Sequence, residues 1–189
     1  MKVRVIGGNP AGLSAASAAR KAHPDWDIIV YERSQFISYA SCGIPYYVEE
    51  KVAKIDKLIT ITKDRFLTER NIPVLTQHEV IGVNFSKKEL TIRNLISNEE
   101  LIESYDKLMI STGAKPRVSP TLQLVHPRIF YVRSMEHAIE IREFLQKNPI
   151  ESVTIIGAGY IGLEMLESYL HFNIKKIYLI GHSLHLSGK

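Results

Sequence analysis

The strongest constraint on the fold is a strand–turn–helix–strand pattern at the start of the chain. A short apolar run, Val3 to Ile6, leads into a glycine-rich turn, and the Ala-rich segment Leu13 to Ala22 that follows has high helix propensity. A second apolar run, Ile28 to Tyr31, ends at the acidic residue Glu32. This order predicts a βαβ unit with two parallel strands and a crossover helix.

The turn contains the residue types that a bound dinucleotide requires. Its glycines allow a pyrophosphate to approach the backbone, and the start of the helix supplies N–H donors. Glu32 is placed where its carboxylate can accept hydrogen bonds from ribose hydroxyls. Asn9 replaces the middle glycine, which we interpret as tolerated because Asn adopts positive φ more readily than most residues. The alternative is a generic crossover with an incidental glycine turn. The full turn is Gly7, Gly8, Asn9, Pro10, Ala11 and Gly12.

The same pattern returns near the end of the chain. An apolar run from Val153 to Ile156 precedes the complete G-x-G-x-x-G turn that runs from Gly157 to Gly162. A helix is predicted over Leu163 to Phe172 and a strand over Ile177 to Ile180. The repeat predicts a second dinucleotide site.

The two units differ after their second strands. Alignment of the units puts Gly181 and His182 where the first unit has Glu32 and Arg33. No carboxylate ends the second strand, so a 2′-phosphate on the ribose would not be repelled there. We therefore predict NADPH in preference to NADH at the second site.

The region between the units contains a different pattern. Thr62 is a candidate N-cap for a helix from Lys63 to Arg70. Apolar and polar residues alternate in three pieces from His78 to Ser104, which predicts a three-stranded antiparallel meander. Tyr105 to Ser111 predicts another buried strand.

Proline-rich residues then divide the chain. Arg117 to Arg128 is predicted as a linker, Ile129 to Val132 as a short strand, and Met135 to Lys147 as a helix capped by Ser134. We predict an α/β fold, with a Rossmann-like unit and its meander in residues 1–116. Residues 117–189 begin a second Rossmann-like unit.

Composition excludes several classes of function. The 189 residues have a net charge of +4 and a pI near 9.1, but the basic residues are scattered, which argues against a nucleic-acid surface. No apolar run approaches the length of a membrane span, and the start of the chain leads directly into a strand. With a single cysteine no internal disulfide can form, which is typical of a reducing compartment. We predict a cytoplasmic protein without membrane contact or metal site.

That cysteine, Cys42, is a candidate redox group. It precedes Gly-Ile-Pro, and Pro45 suits the first turn of a helix. A thiolate at a helix N-terminus faces unpaired N–H groups, and the thiolate is the species that attacks a disulfide. A lone cysteine is more often buried and inert, but the two nucleotide turns on the same chain favour the redox interpretation.

These features together resemble the FAD-dependent pyridine nucleotide–disulfide oxidoreductases. Two nucleotide turns, an interposed meander, the Ser-Thr-Gly-Ala stretch at residues 111–114 and an early cysteine are shared with that family. The absence of a second cysteine and the Gly-Ile-Pro-Tyr-Tyr that follows Cys42 are similar to its single-cysteine branch, especially the coenzyme A–disulfide reductases. The resemblance covers roughly the first 40% of a family member and implies an N-terminal part without the dimerisation domain; full-length members are expected to be homodimers.

The resemblance implies roles for individual residues. FAD is expected on the first turn, with Glu32 at its ribose and Arg33 beside it, and near Thr112 and Gly113. NAD(P)H is expected on the second turn, where Tyr160 would cover the flavin face and Glu164 would be a buried acid near the flavin. The second-turn residues are Gly157, Gly159, Tyr160, Ile161 and Gly162, with His182 beyond them; the expected coenzyme A contacts are Arg20, Lys21, Ser38 and Ser41.

The implied function is reduction of a disulfide, most closely coenzyme A disulfide, with electrons that pass from NAD(P)H through FAD to Cys42. One alternative is an NADH oxidase or peroxidase in which Cys42 cycles through sulfenic acid. Another is a nucleotide-binding fragment without catalysis, and a third is a flavin reductase that supplies an electron-carrier protein.

Overall fold

A computed structural model describes residues 1–118 and 126–181. The chain divides into two compact units. The first contains Met1–Tyr39 and Ile59–Ala114, and the second contains Ala40–Leu58 and Lys115–Lys189. The segment with Cys42 therefore packs within the second unit, although it follows the first βαβ pattern in sequence. The predicted domain boundary at residues 116 and 117 stays a prediction.

The first unit is built on a four-stranded parallel sheet. Its strands are β1 (Lys2–Ile6), β2 (Asp27–Glu32), β3 (Val74–Thr76) and β7 (Lys107–Ile110), in the spatial order β3-β2-β1-β7. Helix α1 (Pro10–Ala22) connects β1 to β2, and α3 (Lys63–Arg70) precedes β3. The carboxyl ends of β1 and β2 meet at one edge, where the first glycine turn lies.

The meander forms a separate sheet. Strands β4 (His78–Asn84), β5 (Glu89–Asn94) and β6 (Glu100–Ser104) are antiparallel in that order, as predicted. Leu90 and Ile92 of β5 pack against Ile6 and Tyr31 of the parallel sheet. On the opposite face of that sheet, β1 and β2 pack against residues from α1 and α3, which include Leu13, Ala16 and Phe66. Both faces of the sheet are therefore covered.

The second unit contains a smaller parallel sheet of β8 (Ser152–Ile156) and β9 (Lys176–Ile180), joined by α5 (Tyr160–Leu170). Helix α4 (Met135–Lys147) precedes β8 and begins with a capping box between Ser134 and His137. A 3₁₀ turn over Ser41–Gly43 leads into the short helix α2 (Ile44–Val48). Both α4 and α5 pack against α2.

Three predictions of secondary structure need correction. The buried strand predicted over Tyr105 to Ser111 is β7 (Lys107–Ile110), which is mostly exposed. Ile129 to Val132 do not form a strand, because strand formation requires a partner and the described sheet of this unit pairs only β8 with β9. Helices α1 and α5 begin at Pro10 and Tyr160, three residues before the predicted starts, since the second half of each glycine turn is already helical. Residues 119–125 of the predicted linker lie outside the described residues.

Candidate functional site

The first glycine turn is closed by contacts that require glycine. Gly7 has φ +109°, and its N–H donates to the carbonyl of Tyr31 at 2.8 Å. A Cβ at Gly7 would lie 2.2 Å from the carbonyl oxygen of Ser111, and one at Gly12 would lie 1.9 Å from the carbonyl oxygen of Gly7. The turn thus holds α1 directly against β1 and leaves the first N–H groups of α1 at the edge of the sheet.

Asn9 is tolerated for a reason other than the predicted one. It has φ −97° and ψ −178°, an extended conformation open to any residue, so positive φ is not needed at this position. Its side chain does not cap α1, and its Oδ1 atom is buried with no hydrogen-bond partner among the described residues. A buried polar atom at the start of a helix that follows a glycine turn fits a site that a nucleotide completes.

Glu32 lies directly beneath this turn. Its carboxylate is buried and accepts hydrogen bonds from the backbone N–H of Gly8 at 2.7 Å and of Ser34 at 2.8 Å. Each oxygen keeps further lone pairs, so the carboxylate can also accept from ribose hydroxyls. Glu32 therefore links the end of β2 to the turn, while Arg33 beside it is exposed.

Several other predicted residues of the first unit lie near this edge. Ser38 donates its N–H to the carbonyl of Gly8 at 3.1 Å, and its hydroxyl lies 2.6 Å from that of Thr60. Thr112 and Gly113 are exposed just after β7, and Gly113 has φ +70°. Pro10 and Ala11 form the exposed first turn of α1.

Arg20 and Lys21 occupy the last turn of α1 but differ in environment. The guanidinium of Arg20 donates to the carbonyls of Trp26 at 2.7 Å and Asn71 at 3.0 Å, and also to that of Pro24. Lys21 is exposed. Arg20 therefore ties α1 to the segments before β2 and after α3, whatever other role it has.

The second turn repeats the backbone geometry of the first. Gly157 has φ +118° and donates its N–H to the carbonyl of Ile180 at 2.8 Å, while a Cβ at Gly162 would lie 1.9 Å from the carbonyl oxygen of Gly157. A Cβ at Gly159 would meet nothing within 4 Å. That open space at the start of α5 fits the pyrophosphate of a dinucleotide.

The side chains around this turn point away from the core. Tyr160 is 78% exposed and Ile161 is 55% exposed, so Tyr160 does not simply pack against the start of its helix. Gly181 follows β9 and is exposed, and His182 lies outside the described residues. The register of the strands supports the predicted alignment, because Ile156 pairs with Ile180 as Ile6 pairs with Tyr31.

Cys42 lies exposed in the 3₁₀ turn that leads into α2, with Pro45 in the first turn of that helix as predicted. The alternative of a buried cysteine is therefore wrong, whereas the redox role of Cys42 stays a prediction. A cleft of about 220 Å³ adjoins the thiol. The cleft is lined by Ser41, Cys42, Ile44, Pro45, Val132, Arg133, Ile161 and Glu164. It brings the cysteine together with two residues of α5, the helix that begins at the second glycine turn.

Glu164 and Arg133 change the predicted picture of this cleft. Glu164 is exposed rather than buried, because the core side of α5 is occupied by Met165, Ser168 and Tyr169. Arg133 was not predicted as a site residue. Its only sequence signal is its position directly before Ser134, the cap of α4.

Within residues 1–118 and 126–181, no helix is long and apolar enough to cross a membrane. No group of three His, Cys, Asp or Glu side chains in the same ranges is arranged to hold a metal ion.

Comparison with known proteins identifies the class to which this fold and these turns belong. The sequence profile of the pyridine nucleotide-disulphide oxidoreductases matches residues 1–186. The chain belongs to this family, whose members are FAD-dependent oxidoreductases, and both the predicted family and the predicted fold class are confirmed.

The similar proteins include both disulfide reductases and oxidases. Coenzyme A disulfide reductase from Staphylococcus aureus (strain JH9) is 35% identical over 167 residues, which is 88% of this chain and 37% of that protein. Reduced Bacillus anthracis CoADR-RHD is 30% identical with a TM-score of 0.90, over 98% of this chain and 33% of that one. Water-forming NADH oxidase from Lactobacillus brevis, bound to NADH, is 32% identical with a TM-score of 0.87, over 96% and 39%. An engineered NADPH-bound variant of that oxidase is 32% identical with a TM-score of 0.88, over 97% and 40%. The chain spans 37% of the length of this Staphylococcus aureus relative.

Proposed function

We propose that this chain forms the nucleotide-binding and cysteine-bearing part of an FAD-dependent NAD(P)H oxidoreductase that reduces coenzyme A disulfide through Cys42. The supporting observation is the cleft beside the thiol, which is shared with Ile161 and Glu164 of α5. The cysteine and the second nucleotide turn thus belong to one side-chain cluster of a single compact unit.

The two turns would hold the two nucleotides. Gly7, Gly8 and Gly12 would receive the FAD pyrophosphate, and Glu32 would bind its ribose from the position in which it already accepts two backbone N–H groups. The open space at Gly159 would receive NAD(P)H. When bound, FAD supplies the transfer of an electron pair from the nicotinamide to sulfur.

The step assigned to the chain itself is thiol–disulfide exchange at Cys42. The thiolate attacks one sulfur of coenzyme A disulfide, the S–S bond breaks, and one coenzyme A thiolate leaves and takes a proton from solvent. The product is a mixed disulfide between Cys42 and the second coenzyme A. Two electrons from NAD(P)H and a proton then regenerate the Cys42 thiolate and release the second thiol.

Coenzyme A carries phosphate groups, and its proposed contacts are Arg20, Lys21, Ser38 and Ser41. Lys21 and Ser41 are exposed and open to a ligand, whereas the guanidinium of Arg20 is bonded to three backbone carbonyls. Lys21 is therefore the stronger candidate for a phosphate contact. The similarity to a protein named coenzyme A disulfide reductase supports this substrate class.

We propose NADPH as the preferred reductant. Gly181 stands where the first unit has Glu32, so the second strand ends without a carboxylate. The substitutions in the NADPH-bound oxidase variant include replacement of one aspartate by alanine and introduction of two arginines, whereas its parent is bound to NADH. Loss of a carboxylate accompanies NADPH binding in that pair.

The exchange step can be tested without any cofactor. The 189-residue chain is mixed with coenzyme A disulfide, and the adduct is followed by intact mass. We expect one coenzyme A per chain, formed faster than the adduct from oxidised glutathione, and none in Cys42→Ser. An adduct in Cys42→Ser, or equal rates with the two disulfides, would contradict the proposed substrate.

Absorbance of the purified chain tests the cofactors separately. Bound flavin that is bleached faster by NADPH than by NADH supports the proposed electron path, and a colourless chain that cannot be loaded with FAD argues for a nucleotide-binding fragment. The resemblance to the NADH oxidase keeps one alternative open. Sulfenic acid at Cys42 after peroxide and reductant, without an exchange adduct, would favour it.

A further inference from the structure

Helix α2 is held at its start by a hydroxyl from α5. The Oγ atom of Ser168 lies 3.0 Å from the carbonyl oxygen of Pro45 and 2.9 Å from that of Glu164. The Pro45 carbonyl oxygen also accepts the N–H of Glu49 at 2.9 Å, so the Ser168 hydroxyl donates to the second lone pair of that oxygen. This bond joins α5, which begins at the second glycine turn, to the first turn of α2, three residues beyond Cys42.

Ser168 is a polar residue at a buried position of α5. Ser168 is 1% exposed and lies between Met165 and Tyr169 on the buried side of α5, where an apolar side chain would be the ordinary choice. A buried hydroxyl costs free energy unless it forms hydrogen bonds. Ser168 has a single hydroxyl proton, and two carbonyl oxygens share it, that of Glu164 in its own helix and that of Pro45 in α2. Donation within α5 alone would satisfy the hydroxyl, so the contact with Pro45 is an additional link to another element.

The exit of α2 is held by an arginine from α4. One Nη atom of Arg142 donates to the carbonyls of Tyr47 at 3.2 Å and Val52 at 3.0 Å. The guanidinium also lies 4.4 Å from the centre of the Tyr47 ring, and its Nε is 3.7 Å from the carboxylate of Glu50. Arg142 therefore fixes the loop after α2 as Ser168 fixes its start.

We infer that Ser168 and Arg142 are positioning residues for Cys42: they clamp α2 from both ends and so hold the thiol at the cleft that it shares with α5. Neither residue lines that cleft. The inference rests on the proposed function, since it concerns the alignment of Cys42 for attack on a bulky disulfide. A helix of five residues does not hold its own position in water, so the clamp must come from its neighbours.

The test uses hydrogen exchange in the 189-residue chain. In Ser168→Ala and in Arg142→Lys, we expect amides of residues 46–52 to exchange about threefold to tenfold faster, as expected for loss of one hydrogen bond. Amides of β1 and β2 in the other unit should be unchanged. The matched control is Thr68→Ala, because Thr68 bonds the carbonyl of Asp64 four residues back on α3 at 2.9 Å without reaching another helix.

A second readout separates positioning from general loosening. Cys42 is the only cysteine, so every thiol adduct reports on it alone. In both variants we expect exchange with coenzyme A disulfide to slow about threefold to tenfold, while alkylation by iodoacetamide keeps its rate. The small reagent needs only access to the exposed thiol, but the large disulfide needs the thiol aligned with its cleft.

The outcomes are distinguishable. If amide hydrogen exchange in α2 is unchanged in both variants, the inference is wrong. It is also wrong if alkylation and thiol–disulfide exchange both become faster. Either result can occur while Cys42 still forms its adduct with coenzyme A disulfide. If wild-type Cys42 shows no preference for coenzyme A disulfide, the proposed substrate is wrong. The amide hydrogen-exchange rates of residues 46–52 still show whether Ser168 and Arg142 hold α2 in place. Because Ser168 and Arg142 lie on different helices, failure of one variant to fold leaves the other informative.

Discussion

The two βαβ units share a backbone but differ in what surrounds it. Gly7 and Gly157 have φ +109° and +118°, and each donates its N–H to the last residue of the neighbouring strand at 2.8 Å. In each turn, a Cβ on the last glycine would lie 1.9 Å from the carbonyl oxygen of the first glycine. In the first unit, the turn also rests on the buried carboxylate of Glu32. In the second unit, Gly181 takes that place. Glycine positions thus set the backbone of the turn, whereas the residue that ends the second strand differs between the units.

The glycines at the ends of the two turns should give the largest effects. In Gly12→Ala the new Cβ meets the Gly7 carbonyl at 1.9 Å, so α1 must move off β1, and we expect a loss of about 3 kcal/mol or more. Trp26, the sole tryptophan, lies in the first unit, and its fluorescence in urea measures this loss. Gly162→Ala should leave the Trp26 transition unchanged and instead speed amide exchange in α5.

The control for these variants is Gly159→Ala. Its Cβ meets nothing within 4 Å, so stability should change by less than about 0.5 kcal/mol while NADPH binding weakens. Equal destabilisation by Gly159→Ala and Gly162→Ala would show that the open space at Gly159 is not kept for a ligand.

The second comparison concerns the middle of the first strand of each unit. Arg4 in β1 is 1% exposed, and its guanidinium lies 2.6 Å from Glu103 and 2.7 Å from Asp27. Burial lowers the pKa of Arg4, but the hydrogen bonds and charges of Asp27 and Glu103 outweigh it and raise the pKa overall. The corresponding residue in β8 is Thr154, which is exposed.

We therefore expect Arg4→Ala to cost about 3 kcal/mol, because it removes the shared partner of two carboxylates and leaves a cavity between the sheets. Thr154→Ala should change stability by less than about 0.5 kcal/mol. Urea unfolding followed by Trp26 fluorescence measures the first, and amide exchange in β8 measures the second. A loss of under about 1 kcal/mol in Arg4→Ala would mean that the meander is held by its apolar residues alone.

Glu32 offers a smaller test of the same comparison. Glu32→Gln keeps the shape, but the amide nitrogen cannot accept from a backbone N–H, so Gly8 or Ser34 loses its partner. We expect a loss of about 1–3 kcal/mol in the Trp26 transition, together with weaker FAD binding. Unchanged stability with weaker FAD binding would mean that the carboxylate serves the nucleotide only.

Alkaline pH should affect each unit through a buried tyrosine. Burial, followed by the charge of Glu103, raises the pKa of Tyr31 to about 12, and burial alone raises the pKa of Tyr169 to about 12. Both pKa values lie above the ordinary value of 10, so the folded state holds each phenol proton more tightly than the unfolded state does. The contribution of each neutral tyrosine to the free energy of unfolding is therefore complete below pH 10 and is lost as pH rises through 12. Tyr31→Phe should recover about 1–2 kcal/mol in the Trp26 transition near pH 12, relative to its effect at pH 8. Tyr169→Phe should leave that transition unchanged. An equal response to both variants would contradict the assignment of Tyr31 and Tyr169 to units that unfold separately.

Features set by local chemistry were predicted well from the sequence. The helices over Lys63–Arg70 and Met135–Lys147 match to the residue, because Thr62 and Ser134 cap them through neighbouring N–H groups. The meander follows from alternation of apolar residues. The family was predicted from the two turns and the cysteine, since glycine spacing is a requirement of backbone geometry.

Features that depend on residues far apart in the chain were not predicted from the sequence. Ile129 to Val132 are apolar enough for a strand but have no partner strand in the described sheet. The exposure of Glu164 and the place of Arg133 in the cleft depend on how α4 and α5 pack against α2. The bond from Ser168 to Pro45 joins residues 123 positions apart, and no local pattern marks it.

A substitution at Gly181 tests the difference between the turns most directly. Gly181→Glu would restore to the second unit the carboxylate that the first unit has at Glu32, at the residue after a strand pair of the same register. A carboxylate there accepts from both ribose hydroxyls of NADH but repels the 2′-phosphate of NADPH. We expect the ratio of the two dissociation constants to shift toward NADH by about tenfold, which corresponds to about 1.4 kcal/mol. Calorimetric titration with each nucleotide measures the ratio, and Gly181→Gln, which has the same length without the charge, should shift it less. A ratio that Gly181→Glu leaves unchanged would mean that the nucleotide is chosen by residues other than the one that ends the strand.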